Sequence, residues 1–435
     1  MKTMLKPFTV ALQYEAFPMV PWSHERFLDS YTGPKRFRYE QAVESLKGRD
    51  VCVKDSYVAT FVKMEKLNLS LKPDPDPRVI QPRDPRFNVA LGVYIRPLEA
   101  VMFKAITRIF EEVTVLKGFN SRKQGSIIAR KWERYGRPAA VSFDCVRQDQ
   151  HMSRSALAYR AELYQLFYRG DARLAELLEW QCKIRGFARE GQEYVQYLKV
   201  GGGASGDMDT SLRSCLMSVA ILYAYMIQQG LDLSAINNGD DTTAILEETD
   251  VHRLQGLAPF SSALGFPMTI EPPVTELEHL TFCQTQPVCD GKDWFMVRNP
   301  WVCMSKDLVS VKHFDDPRSF DTLRNSVGRS GEALAGHMPV FRSFYKALYK
   351  GAGTRIDRDA VETGFAILAR GMYNSGVITQ YCRYSFYKAF GITPDEQTAL
   401  ERYYDKVDYR WQPTKRVDVY SVPTHAKGTL MGSPA

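Results

Sequence analysis

The chain has no C-x-x-C pair, and its eight cysteines are scattered over 435 residues. That pattern excludes a disulfide framework and points to a reducing compartment. His279, Cys283 and Cys289 come nearest to a metal-binding spacing but lack a fourth ligand, so buried thiols are expected there. No Pro/Gly/Ser-rich spacer, low-complexity run or internal repeat divides the chain, which implies one multi-lobed unit. The amino-terminal stretch "MKTMLKPFTVALQYEAFP" has neither a sustained apolar core nor a small-residue cleavage site, so no secretory signal is expected. The longest apolar run, "CLMSVAILYAYMI" from Cys215, is shorter than a bilayer span of ~20 residues. Membrane attachment is therefore expected only through a partner. Gly201 to Asp207 lacks the Gly-Lys-Ser/Thr of a phosphate loop and the spacing of a serine nucleophile elbow, which removes those hydrolase classes.

A hydrophobic content of 44% with 25% charged residues is that of an ordinary globular protein rather than a disordered chain. The net charge of +7 is modest, but its distribution is uneven. Between Lys117 and Arg137 seven basic residues face a single acidic one, Glu133. Such a density attracts a polyanion, although a solvated basic face has the same composition.

Local patterns place the remaining features. Thr32 to Pro34 signal a turn before a helix. Five prolines between Pro73 and Pro85 exclude a continuous helix there, so Lys72, Arg78, Arg83 and Arg86 are expected on extended backbone. "AAVSFDC" reads as a short buried strand ending near Asp144. A helical stretch from Leu157 to Phe187 and a strand-like "YVQYLKV" precede the glycine-rich "GGGASGD". From Met208 the spacing of Leu212, Cys215, Leu216, Val219, Tyr223, Met226 and Ile227 predicts an amphipathic helix, with Asp207 or Asp209 as N-cap and Gly230 closing it. Thr210, Ser214 and Ser218 form a hydroxyl stripe along that helix. "INNGDDTTAILE" then predicts a hairpin with Asn238-Gly239 as its turn. A second hairpin is expected to turn near Asp290-Gly291, and the chain beyond about residue 315 reads as helical.

Asp240 and Asp241, adjacent at a hairpin tip, repel unless water, a shared proton or a cation intervenes. If the Asp144 strand and this hairpin are neighbours in one sheet, Asp144, Asp240 and Asp241 meet at a common edge. Magnesium suits such a cluster, because it takes hard oxygen ligands and leaves positions for phosphate. Two ions about 4 Å apart would support in-line nucleotidyl transfer. Arg78, Arg83 and Arg86 are the cations expected near a departing pyrophosphate, and residues 117–137 offer a channel for a template strand. Asp149, Ser205 and Thr210 are residue types suited to a ribose 2′-hydroxyl. Each alone has a plainer reading: Arg78 as a loop cap, Thr210 bonded to its own helix.

At this point the stretches "PRVIQPRDPRFNVALGVYIRPLE", "FDCVRQDQHMS", "SGDMDTSL", "NNGDDT", "LGFPMTIEPP" and "FCQTQPVCDGKDWFMVRNP" carry a resemblance. In that order the sequence is similar to the viral RNA-dependent RNA polymerases, most closely those of tombusvirus-like positive-strand RNA viruses. The resemblance implies an α+β right-hand fold of fingers, palm and thumb, with an antiparallel palm sheet flanked by helices and a mainly helical thumb. It implies fingers over residues 1–138, palm over 139–156, a fingers insertion over 157–196, palm again over 197–300 and thumb with tail over 301–435.

The family's roles map onto Asp144, Asp240 and Asp241 as metal ligands for magnesium or manganese. They map onto Asp149, Ser205, Gly206, Thr210 and Ser214 around the sugar, and onto Arg78, Arg83 and Arg86 along the tunnel by which nucleotides enter. RNA template and product, ribonucleoside triphosphates, a membrane-anchored viral replicase protein and host factors are the implied partners. Host cytoplasm, at membrane-associated replication complexes, is the implied location. Ser214 stands where the family carries asparagine, Asp209 where relatives have asparagine, and Thr269 where a lysine is usual. These departures bear on sugar selection and proton donation. An inactive RNA-organising protein of the same fold, and a polymerase of deoxynucleotides, are the rival readings; Asp149, acidic where a 2′-hydroxyl would lie, speaks against the second.

Overall fold

A computed structural model describes residues 1–65, 76–309, 316–357, 368–372 and 376–411. The sequence suggested one multi-lobed body, whereas the contacts divide the chain into two compact units. The first comprises Met1–Lys63, Pro77–Leu116 and Ala139–Pro273; the second comprises Met64–Asp76, Lys117–Pro138 and Val274–Ala435. Helices and sheets are interleaved without βαβ regularity, so the class is α+β.

The first unit is organised around a four-stranded sheet. Its strands, in spatial order, are Ser234–Asn238, Asp241–Glu247, Pro138–Cys145 and Met268–Ile270. The first two form an antiparallel hairpin, and the last two are antiparallel with Asp144 opposite Thr269. Against this sheet lies the core to which the helix Thr210–Gln229 contributes Leu212, Cys215, Leu216, Met217, Ala220 and Leu222. The spacing had suggested one apolar stripe, but this helix is buried on more than one side, while Ile227, assigned to the stripe, is half exposed. A helix apolar around most of its circumference must run through a core. It is also the one described helix long and apolar enough to cross a membrane, and 67% of its most apolar window is buried within the protein.

Proline decides the next difference. Arg86 was expected on extended backbone, yet it lies in the second position of a helix, Pro85–Ile109. Pro85 occupies the first helical position, where its missing N–H costs nothing, and the Asp84 carboxylate accepts a bond from the Arg86 N–H at 2.8 Å. Lys72 lies outside the described residues. The helical stretch expected from Leu157 to Phe187 is two helices, Arg154–Tyr168 and Ala172–Gln181, followed by the strand Lys183–Glu190. That strand pairs along its whole length with Glu193–Val200, and the hairpin ladder overrides the helical propensity of its residues.

The second unit has its own core of Val288, Phe295, Val297, Phe341, Phe344 and Phe386. The hairpin Thr285–Cys289 and Trp294–Arg298 turns through Asp290 to Asp293, as the sequence suggested. The helix Ser121–Trp132 packs on it so closely that a Cβ on Gly125 would lie 2.4 Å from the Trp294 carbonyl oxygen. Helices Pro317–Ala335, Phe341–Tyr349, Gln380–Phe390 and Pro394–Lys406 make the rest of the described part helical. The tail beyond Trp411 lies outside the described residues.

Candidate active site

Asp144 is the penultimate residue of the Pro138–Cys145 strand, and its neighbour strand starts at Asp241. The two strands touch through the hydroxyls of Ser142 and Thr243, 2.9 Å apart. The hairpin pairs Asn238 with Asp241, so the two-residue turn is Gly239-Asp240, one position later than the Asn238-Gly239 expected. Gly239, with φ of 84°, occupies the first central position of the turn, where a side chain would be strained. Asp240 is exposed at the tip and Asp241 begins the returning strand.

The turn is held by a residue that sequence reasoning missed. Fully buried Asn237 donates through Nδ2 to the Gly239 carbonyl and the Thr242 hydroxyl, each at 2.9 Å. Its backbone also joins the hairpin to the 114–116 segment. The Gly239 N–H points to Cys215 Sγ at 3.1 Å, which ties the tip to the Thr210–Gln229 helix. An asparagine just before Asn-Gly is a turn signal in its own right, but only the fold shows which turn atoms it reaches.

The electrostatics of the carboxylates follow from this arrangement. Partial burial, then the charges of Asp240, Asp241 and Glu271 in that order, push the Asp144 carboxyl up to about 6. Each neighbour therefore lies within the electrostatic reach of Asp144. The sequence suggested a closed cluster of three; among the described residues, no group of three His, Cys, Asp or Glu side chains is gathered closely enough to hold a metal ion. The donor set is nevertheless of the right chemistry for a hard divalent cation, being carboxylate oxygens under mutual repulsion at an exposed sheet edge.

Asp149 follows in the short helix Gln148–His151. Its Oδ1 accepts from Arg213 Nη2 at 2.8 Å. Burial raises the Asp149 carboxyl above its ordinary range, with Arg213 opposing that rise. Arg213 is fully buried and also reaches Asp207 at 3.0 Å and Asp209 at 3.4 Å. Asp209 occupies the N-cap position but caps nothing, contrary to expectation. Its carboxylate is taken by Arg160 at 2.5 Å, Gln181 at 3.1 Å and the Tyr164 hydroxyl at 3.3 Å. A buried network of two arginines thus surrounds the Asp209 carboxylate.

The sugar candidates are satisfied locally. Thr210 Oγ1 donates to the Ala204 and Asp207 carbonyls, both at 3.1 Å. Ser205 is exposed and bonds to the backbone of Val79 and Gln81 at 3.2 Å. Gly206 lies so close to that same segment that a Cβ would be 2.6 Å from Pro82 Cα. Ser214 is partly exposed on the stripe that faces Gln148, whose Nε2 reaches the Ser218 hydroxyl at 2.8 Å.

The three arginines separate. Arg78 is exposed. Arg83 is buried, donating to the Asp207 carboxylate and the Ser56 carbonyl. Arg86 is buried against Asp55 at 3.3 Å and the carbonyls of Arg49 and Asp50 at 2.6 and 3.0 Å. Two of the three guanidinium groups expected to face a triphosphate are therefore engaged inside the protein. Of the basic segment, Arg122, Lys123 and Arg130 are exposed, whereas Lys131 is buried.

A family model described as viral RNA dependent RNA polymerase matches residues 1–412. The chain is 41% identical over 407 residues to the RNA-directed RNA polymerase of Tobacco necrosis virus (strain A), covering 92% of this chain and 56% of that protein. It is 39% identical to that of Panicum mosaic virus over 91% of this chain and 40% of the relative, and 37% identical to that of Turnip crinkle virus over 91% and 52%. The chain spans about half the length of these relatives. With a match over nearly its whole length and relatives of this identity, the chain belongs to the viral RNA-dependent RNA polymerase family, beside the polymerases of the Tombusviridae.

Proposed function

We propose that the chain is an RNA-directed RNA polymerase, a nucleotidyltransferase that copies a viral RNA genome by adding ribonucleoside triphosphates to an RNA 3′-hydroxyl. The observation that carries this reading is Asp144 at one sheet edge with the Gly239-Asp240 turn, its carboxyl lifted to about 6 by partial burial and by Asp240 and Asp241. Asp144, Asp240 and Asp241 would hold magnesium or manganese. Such ions, when bound, supply activation of the attacking hydroxyl and charge compensation for the leaving pyrophosphate. The chain's own residues do the rest. Arg78 is exposed where it would meet a triphosphate, while Arg83 and Arg86 hold the segment that carries it. Asp149, kept in place by Arg213, reads the 2′-hydroxyl together with Ser205, Thr210 and Ser214. Exposed Arg122, Lys123 and Arg130 favour a phosphate backbone.

In this reading residues 139–156 and 197–300 form the palm, 1–138 and 157–196 the fingers, and 301–435 the thumb and tail of a right-hand fold. A membrane-anchored viral replicase protein and host factors would bring it to membrane-associated complexes in the host cytoplasm. The test is incorporation of labelled ribonucleotides on an RNA template with magnesium, with deoxynucleotides as competitors. Product is expected from the wild type and not from Asp240→Asn. An Asp240→Asn variant as active as the wild type would overturn the assignment of the carboxylates.

A further inference from the structure

The ribbon formed by Lys183–Glu190 and Glu193–Val200 has two unlike faces. Side chains alternate across a strand, so residues 183, 185, 187 and 189 share one face. The register sets Arg189 opposite Tyr194 and Arg185 opposite Leu198, which puts both partners on that same face. The other face is covered only in part, around Ile184, Gly186 and Tyr197. Ile184 is buried, and the Tyr197 ring lies across Gly186 with its hydroxyl 2.6 Å from Thr60 Oγ1. The first face is left to solvent: Phe187, Tyr194 and Leu198 are 42%, 54% and 61% exposed.

Its charge has one sign. Lys183, Arg185 and Arg189 are exposed, no acidic residue occupies a position of this face, and the three form no ion pair among the described residues. Arg185 instead lies over the Tyr57 ring at 5.5 Å and donates to the Tyr57 hydroxyl at 3.0 Å, and Arg189 donates to the Gly191 carbonyl at 3.2 Å. At the tip an open depression of about 410 Å³ is lined by Phe187, Arg189, Gln192 and Tyr194. Cations spread over about 20 Å of strand, interleaved with aromatic rings at open positions, match the two needs of a single-stranded polynucleotide. Phosphates find positive charge, and unpaired bases find flat apolar surfaces to stack on.

We infer that the outward face of this ribbon is a binding surface for single-stranded RNA, with Lys183, Arg185 and Arg189 on phosphates and Phe187 and Tyr194 under bases. The inference rests on the reading of the chain as an enzyme that handles RNA, and extends it to a surface separate from the carboxylates.

The test is equilibrium binding of a labelled single-stranded oligoribonucleotide to the full chain by fluorescence anisotropy across a salt series, beside binding to vesicles containing phosphatidylserine. Lys183→Gln/Arg185→Gln/Arg189→Gln should reduce the slope of log affinity against log salt by about 2, since each neutralised phosphate contributes about 0.7 for single strands. Phe187→Ala/Tyr194→Ala should weaken binding about tenfold or more while leaving that slope unchanged. Photo-crosslinking of thiouridine-containing RNA to the unaltered protein, mapped by mass spectrometry, should label peptides within residues 183–200, and it needs no variant to fold. Wild-type affinity and slope in both variants, loss of vesicle binding without loss of RNA binding, or crosslinks confined to other segments would each overturn the inference. Failure of the wild type to incorporate ribonucleotides would instead strike the proposed activity, because RNA binding is read without catalysis.

Discussion

Replacing Asp209 by alanine should cost the protein about 3–5 kcal/mol, because the change strips a buried charge of its counter-ion. Arg160 is fully buried, and without Asp209 its guanidinium loses its carboxylate and is left with Gln181 Oε1 at 2.7 Å, a long contact to the Leu157 carbonyl at 3.4 Å and the Tyr164 ring at 5.5 Å. Arg213 suffers less, since Asp207 and Asp149 remain to it. The loss should therefore trace to Arg160. Denaturant unfolding of the single variants and of Arg160→Met/Asp209→Leu checks this. The double variant should recover most of the loss, because a buried pair replaced by apolar groups is close to neutral whereas a broken pair is not.

The pH dependence has a definite sign. Burial alone would raise the Asp209 carboxyl, but Arg160 and Arg213 outweigh it and hold the group well below the ordinary range. Its contribution is thus present above an unfolded value of about 3.9 and lost as pH falls through the depressed folded value. Wild type and Asp209→Asn should converge in stability in strong acid. A loss below about 1 kcal/mol for Asp209→Ala, or a double variant no more stable than Asp209→Ala, would refute the argument.

Asp144 should behave oppositely. With its carboxyl at about 6 by burial first and Asp240 second, its contribution to stability is present below about 3.9 and lost as pH rises through about 6. Asp240→Asn should bring the Asp144 titration, followed by carboxyl NMR in metal-free buffer, part of the way back down, and no movement would contradict the placement of the turn. Gly206→Ala forces a methyl group to 2.6 Å from Pro82 Cα and 2.8 Å from the Gln81 carbonyl oxygen, both rigid backbone. It should destabilise by about 1–3 kcal/mol in denaturant unfolding. Asn237→Ala removes the bonds to Gly239 and Thr242 at 2.9 Å. A cost of about 1–3 kcal/mol is expected, with faster amide exchange at Gly239 and Asp240.

Residue types and short-range order already reveal much of this protein. The hairpin bearing adjacent aspartates, the strand ending near Asp144, the helix after the glycine-rich loop and the second hairpin near Asp290 are all written in local patterns, because turn chemistry and apolar spacing act over a few residues. The ordered stretches that carry the family resemblance are likewise properties of the linear chain. The turn was misplaced by one position because Asn-Gly is a good turn dipeptide, while the actual register answers to Asn237 and to Cys215 on a distant helix. Proline density around Arg86 suggests extended backbone, but Pro85 stands at the first helical position, where proline starts a helix and does not break one.

What tertiary structure alone decided is which charges are buried and which stay exposed. Arg78, Arg83 and Arg86 look alike in sequence, yet only the fold buries two of them on Asp207 and Asp55 and leaves the first in solvent. Asp209 reads as a helix cap until Arg160, far off in the chain, takes its carboxylate into the core. The strand at Lys183 reads as helix until its partner arrives to pair with it. The physical reason is common to all three: local pattern sets backbone preference, but desolvation and the pairing of charge depend on neighbours that only the folded chain brings together.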